Sequence, residues 1–156
     1  MGFLEGEISV GEEPRASENM RVCETTVRVT YSDTDQMGMV YYANYLIWFE
    51  IGRTEFLRQY GLTYKSLEAR DLFLPVTRCI CEYKSPAKYD DLIRIVTRIA
   101  QMTRVSISFS YKLVHEGSGE VIAQGETKHV CIGRDGKILK SGLSGLPFKA
   151  PGTNGQ

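Results

Sequence analysis

The chain has 156 residues, 42% of them hydrophobic, and its nineteen basic side chains are balanced by nineteen acidic ones. That length suits one domain able to bury roughly two-thirds of its unfolded surface, and zero net charge supplies no global field for nucleic acid or an acidic membrane. No stretch approaches the ~18 apolar residues of a membrane span, and the start Met1-Gly2-Phe3-Leu4-Glu5 lacks the basic opening of a signal peptide.

Residues 1–19, with five glutamates, three glycines and one proline, predict a flexible N-terminal tail. One pattern without linker or repeat covers 20–145, and 146–156 predict a second flexible tail. Val27 and Val29 share a face in a first strand over 22–30. A loop over 31–41 leads into a helix from about 43 to 60, with Tyr45, Trp48, Phe49, Gly52, Phe56 and Leu57 along one stripe. Gly61 follows where a C-cap belongs, and 63–70 predict a short helix or turn.

Four strands are expected over about 74–84, 89–101, 104–115 and 120–132. Turn residues separate them, from Ser85-Pro86-Ala87-Lys88 to Gly133-Arg134-Asp135-Gly136. The third is the clearest, with Ile107, Phe109, Tyr111 and Leu113 opposite Ser106, Ser108, Ser110 and Lys112. A last short strand is expected over 136–140. A long apolar helix followed by an antiparallel meander buries its stripe when the sheet curls around it, which predicts an α+β fold. Tyr42, Leu46, Ile47 and Ile51 lie off the stripe, so the helix should be covered on a second side. Sheet edges need protection, and symmetric association, as a homodimer or homotetramer, is one way to provide it.

Of the four cysteines, Cys79 and Cys81 share a strand face, an awkward geometry for bridging each other. All four read as reduced thiols of a cytoplasmic protein. A metal reading of Cys79-Ile80-Cys81 fails for want of a second ligand pair. Asp33-x-Asp35-x-x-Gly38 imitates the start of a calcium loop, but Met37 and Asn44 stand where an oxygen ligand and a bidentate glutamate belong. No Gly-x-Ser-x-Gly elbow exists. His115 reads as the end of a strand and His129 as a tolerated strand residue.

The loop and helix start hold the chemistry. Asp35 lies a few residues ahead of a helix tip whose free N–H groups can hold negative charge. A carboxylate and such donors are the minimum for attacking a carbonyl and stabilising the oxyanion. Asp33 and Asp35 read equally as turn caps. Gly38 suits a tight turn or a close approach of substrate. Asn44 suits ordering of the loop–helix junction, or a plain first-turn position. Glu50 is a second carboxylate, with Arg53 in reach at i+3. The aromatic stripe reads as core first and acyl-pocket wall second.

Asp33-Thr34-Asp35-Gln36-Met37-Gly38-Met39-Val40-Tyr41-Tyr42-Ala43-Asn44-Tyr45 resembles the signature of the 4-hydroxybenzoyl-CoA thioesterase family of hotdog-fold proteins. That signature runs Asp-x-Asp, two residues, Gly-x-Val, two residues, a small residue or Pro, then Asn and Tyr. The likeness continues through Pro86-Ala87-Lys88-Tyr89-Asp90-Asp91 and covers roughly 24–140. It implies a curved sheet wrapped around the helix, Asp35 as the catalytic carboxylate, and the Tyr42 backbone N–H as donor to the thioester carbonyl. It implies substrate contacts at Gly38, Val40 and Asn44, and phosphate contacts at Arg104, with Lys88 and Lys84 as weaker candidates. It also implies a site built across a dimer interface, with acyl-CoA as substrate and no metal. In the branch associated with short-chain acyl-CoA hydrolysis and the Tol–Pal system a histidine often stands where this chain has Tyr42, so the subfamily stays open.

The expected reaction is hydrolysis of an acyl-CoA to free acid and CoA, with Asp35 as nucleophile or general base. A hotdog hydratase would resemble its kind in an Asp and His pair near the helix start, and residues 1–114 contain no histidine. A non-catalytic acyl-CoA-binding module or scaffold is the remaining alternative. A nucleic-acid role lacks any reading helix pair or basic segment.

Overall fold

The computed structural model describes residues 21–148; the tail expected over 1–19 lies outside them, as do 149–156. In chain order the elements are β1 (Cys23–Arg28), α1 (Asn44–Gln59), α2 (Tyr64–Glu68), β2 (Val76–Tyr83), β3 (Leu92–Met102), β4 (Ser106–His115) and β5 (Val121–Val130). A 3-10 turn at Tyr31–Asp33 follows β1. The strands form one antiparallel sheet in the order β1-β3-β4-β5-β2. This is the expected α+β arrangement, with α1 packed on β1, β3 and β4.

The topology decides where loops meet. β1 and β2 occupy opposite edges, so α1 and α2 carry the chain across one face, and 84–91 brings it back to β3 beside β1. Both crossings pass the same end of the sheet. The Val40 N–H donates to Ala87 O at 2.9 Å, the Val29 N–H to Asp91 O at 2.9 Å, and Met39 bridges Lys88. Segments distant in sequence are thereby held together by main-chain hydrogen bonds.

The six positions expected on the buried stripe of α1, from Tyr45 to Leu57, are the six that are buried. Phe49 stacks on Tyr111 at 4.3 Å between ring centres, and Phe56 meets Phe109 edge-on at 5.6 Å. Each such side chain contributes roughly 1.5–3 kcal/mol through removal from water. α1 ends at Gln59, with Tyr60 as its C-cap and Gly61 next, and α2 is opened by a reciprocal cap. The Ser66 N–H donates to Thr63 Oγ1 at 3.0 Å, and the Thr63 N–H donates to Ser66 Oγ at 2.9 Å.

Three expectations need correction. The strand expected over 136–140 is a single bridge, Ile132 to Ile138, after the turn closed by Gly136 N–H and Gly133 O at 3.0 Å. The packed domain also runs past 145: Leu146 and Phe148 are buried, and Phe148 lies edge-on to Tyr60 at 5.2 Å and Phe56 at 6.0 Å. These apolar residues close the C-terminal end of α1. Finally, the described residues do not supply the second cover expected beside α1, since Tyr42 and Ile47 are 62% and 53% exposed. All four cysteines are free thiols, and no described helix is long and apolar enough to cross a membrane.

Candidate active site

The loop between β1 and α1 is held by its own aspartates. Asp33 Oδ2 accepts from the Thr30 N–H at 2.8 Å and from Thr30 Oγ1 at 2.9 Å. The Asp33 carbonyl accepts from the Tyr41 N–H and from Asn44 Nδ2, both at 2.8 Å. Asp33 therefore shapes the loop, and Asn44 orders the loop–helix junction through its amide. Asp35 Oδ1 accepts from the Met37 N–H at 2.8 Å and the Met39 N–H at 3.3 Å. This is an Asx-type turn. The Asp35 carbonyl accepts from the Gly38 N–H at 3.1 Å, and Gly38 sits at φ +77°. A Cβ there would meet nothing within 4 Å, so conformation rather than space selects glycine.

α1 begins without a side-chain cap, because Ala43 stands at its N-cap position. The Asn44 N–H donates to Tyr41 O at 2.9 Å, while the Tyr42 and Ala43 N–H groups donate to no backbone carbonyl among the described residues. Uncommitted donors at a helix start carry partial positive charge. Beside them opens a cleft of about 300 Å³, lined by Met39, Val40, Tyr42, Tyr45, Tyr83, Lys84, Ser85 and Pro86. Tyr83 donates its hydroxyl to Tyr42 O at 2.9 Å and meets the Tyr45 ring edge-on at 4.9 Å. Tyr45 accepts from the Ala87 N–H at 3.4 Å, and burial pushes its hydroxyl above the usual tyrosine range. Asp35 and Gly38 are not in the cleft wall; they adjoin it through Met39.

The other expected residues scatter. Lys84 reaches the cleft and pairs with Glu82 at 3.1 Å. Lys88 is exposed, its backbone bridged to Met39. Arg104 is placed far from both. It follows β3, whose eleven residues at about 3.3 Å each separate it from the cleft by roughly 30 Å along the strand. There it lines a second cleft, of about 590 Å³, with Thr103, Val105, Lys140 and Ser141. Glu50 is exposed, and Arg53 donates to Tyr64 Oη at 3.2 Å.

Neither histidine is free for catalysis. His115 Nδ1 is approached by the Ser118 N–H at 3.1 Å and Nε2 by Asp91 at 3.4 Å. His129 is buried, with Nδ1 at 2.9 Å from Leu74 O and Nε2 at 2.8 Å from Thr127 Oγ1. Only a carbonyl faces Nδ1, so Nδ1 carries the proton and Nε2 accepts from Thr127, which in turn accepts from Tyr111 Oη. Burial, then the nearby Arg53 charge, lowers the His129 pKa. The unfolded chain then takes up a proton below pH ~6.5 that the folded chain refuses. Stability should thus fall as pH drops from about 6.5 to the lowered folded pKa, by at most about 1.4 kcal/mol per pH unit, and level off beyond. Urea midpoints between pH 7.5 and 5 check this; His129→Gln, which keeps an acceptor and a donor, should flatten that slope.

The sequence offered no signal for Tyr83 as a neighbour of the helix tip. Cys79, Cys81 and Tyr83 alternate onto one face of β2, but nothing local states that this edge strand ends beside Tyr42. The pairing of β2 with β5, through Tyr83 and Ala123, puts it there.

Residues 29–150 match the model of the thioesterase-like superfamily. The chain belongs to that superfamily. It is 31% identical over 116 residues to the putative acyl-CoA thioesterase YneP of Bacillus subtilis, covering 74% of this chain and 83% of the relative. It is 35% identical over 106 residues to the acyl-CoA thioester hydrolase YbgC of Escherichia coli, covering 68% and 78%. Among solved structures, a DHNA-CoA thioesterase from Staphylococcus aureus superposes with a TM-score of 0.73 at 28% identity, over 76% of this chain and 79% of that one. The fold is accordingly the hotdog, and the enzyme class is thioester hydrolase, as the loop signature implied.

Proposed function

We propose that this thioesterase-like protein hydrolyses acyl-CoA thioesters to the free acid and CoA, within the 4-hydroxybenzoyl-CoA thioesterase family of the superfamily. Asp35 attacks the thioester carbon or deprotonates the attacking water, and the Tyr42 N–H takes the developing charge on the oxygen. The observation that carries this reading is the uncommitted N–H at the uncapped start of α1, beside a turn that presents a carboxylate. A thiolate is a good leaving group, so no acid is needed to protonate it, and one oxyanion donor is worth about 2.7–4 kcal/mol of barrier. Only Oδ1 of Asp35 is used by the turn; Oδ2 accepts no hydrogen bond among the described residues. Gly38, Val40 and Asn44 would frame the thioester, Val40 as cleft wall and the other two through the loop. Lys88 would lie at the entrance.

The reading includes a second copy. Exposed apolar residues at the start of α1, Leu46 and Ile47 with Tyr42 just before it, and Tyr83 at the end of the edge strand β2 would be covered by a homodimer. Arg104 is too far from Asp35 of its own chain to touch the same ligand, so it would meet the CoA phosphates bound to the neighbouring copy.

Thiol release from a panel of acyl-CoA esters, aliphatic and aromatic, tests the proposal; no release from any member would end it. In the same assay Arg104→Ala should raise KM for CoA esters about tenfold through loss of a charge-assisted contact. KM for a small thioester without the nucleotide should hold. Equal effects on both would remove Arg104 from the site.

A further inference from the structure

We propose that Tyr83 is a positioning residue, its hydroxyl setting the Tyr42–Ala43 peptide so that the Ala43 N–H, a second oxyanion donor beside that of Tyr42 at the tip of α1, is held in place before substrate arrives. This rests on the thioesterase reading above.

Peptides inside α1 are oriented by their own helical hydrogen bonds, but the two that flank Tyr42 precede the helix and have none. Each is instead pinned from its carbonyl side. Tyr41 O accepts from the Asn44 N–H at 2.9 Å, and Tyr42 O accepts from Tyr83 Oη at 2.9 Å. In a trans peptide the N–H points opposite to the C=O. Fixing Tyr41 O therefore fixes the direction of the Tyr42 N–H, and fixing Tyr42 O does the same for the Ala43 N–H. Both N–H groups are the uncommitted ones, and a hydrogen bond accepted at a carbonyl also polarises the amide on its other side.

The first pin comes from the helix itself, but the second comes from β2, 41 residues away in sequence. Its direction is secure. The edge-on contact with Tyr45 holds the ring, and a carbonyl can only accept, so the hydroxyl must donate. Partial desolvation of the hydroxyl, with the Cys81 thiol adjacent, raises its pKa above the usual tyrosine value although much of the ring is exposed. Preorganised donors of this kind avoid reorganisation when the oxyanion forms, so their loss should act on the chemical step.

Tyr83→Phe, which keeps the ring in the cleft wall, tests the inference against Tyr83→Leu, which removes it. Expected for Tyr83→Phe is a kcat about tenfold lower with KM unchanged, and a moved Ala43 amide resonance in the 1H–15N spectrum. An unchanged kcat, or a rise in KM alone shared by both variants, would make Tyr83 a wall and overturn the inference. If the wild-type protein hydrolyses no acyl-CoA, the thioesterase reading falls by itself. The amide spectrum then decides the positioning: an Ala43 resonance unmoved in Tyr83→Phe overturns it.

Discussion

Asp35→Asn should lower thiol release from acyl-CoA esters by about 10³-fold, inside the range that a positioned base or nucleophile supplies, with affinity for the ester largely kept. The substitution isolates charge from shape. An asparagine Oδ1 can still accept from the Met37 and Met39 N–H groups, at 2.8 and 3.3 Å in the native turn. The Gly38 turn and the bridge between Thr34 and Val40 should then persist. What disappears is the anion, and with it both routes open to Asp35, attack on the carbonyl and removal of a proton from water. Affinity should survive because the cleft is built by Val40, Tyr42, Tyr45, Tyr83 and Pro86 and not by Asp35 itself. Initial rates with thiol detection and ester binding by calorimetry separate the two quantities. A variant that turns over like the wild type would leave Asp35 as the turn-former its hydrogen bonds already make it, and the acyl-CoA-binding alternative would stand in place of catalysis.

The legible parts of this molecule are those with local causes. Helical spacing identified every buried residue of α1, because one face of a helix meets one surface. Gly38 was readable because positive φ is a local demand, and Asn44 because its partner, Asp33 O, lies within the same loop. Non-local placements were less legible. Residues 146–148 look like a loose end beside Pro147 and Gly145, yet Phe148 finds Tyr60 and Phe56 through the fold. Arg53 stands one turn from Glu50, but α2 brings Tyr64 Oη to it instead. Arg104 was assigned to the site through family likeness, and strand length then put it at the far end of the sheet. Tyr83 was absent from the expected site because its position depends on sheet order, which periodicity does not encode.

The same sheet order predicts the largest effect on stability. Gly125→Ala should cost about 3 kcal/mol or more, lowering the melting midpoint by about 10 °C. Gly125 lies on β5 opposite Cys81 of β2 and Tyr111 of β4. A Cβ there would meet the Ile80 carbonyl and two carbons of the Phe49 ring, at 2.7 and 2.8 Å. Phe49 has no room to withdraw, being fully buried and stacked on Tyr111 at 4.3 Å with the planes 8° apart. The Ile80 carbonyl belongs to β2, so relief on that side requires the edge strand to move. Thermal and urea denaturation check the size of the loss. The double variant with Phe49→Leu should be less destabilised than the sum of its parts, since it removes one of the two clashes. A midpoint within about 2 °C of wild type would mean that β2 and Phe49 yield easily. Movement of β2 carries a functional consequence as well: Tyr83 sits two residues beyond Cys81 on the same strand. A sub-destabilising temperature at which Gly125→Ala remains folded but loses kcat would tie the close β5–β2 contact to the geometry of the helix tip.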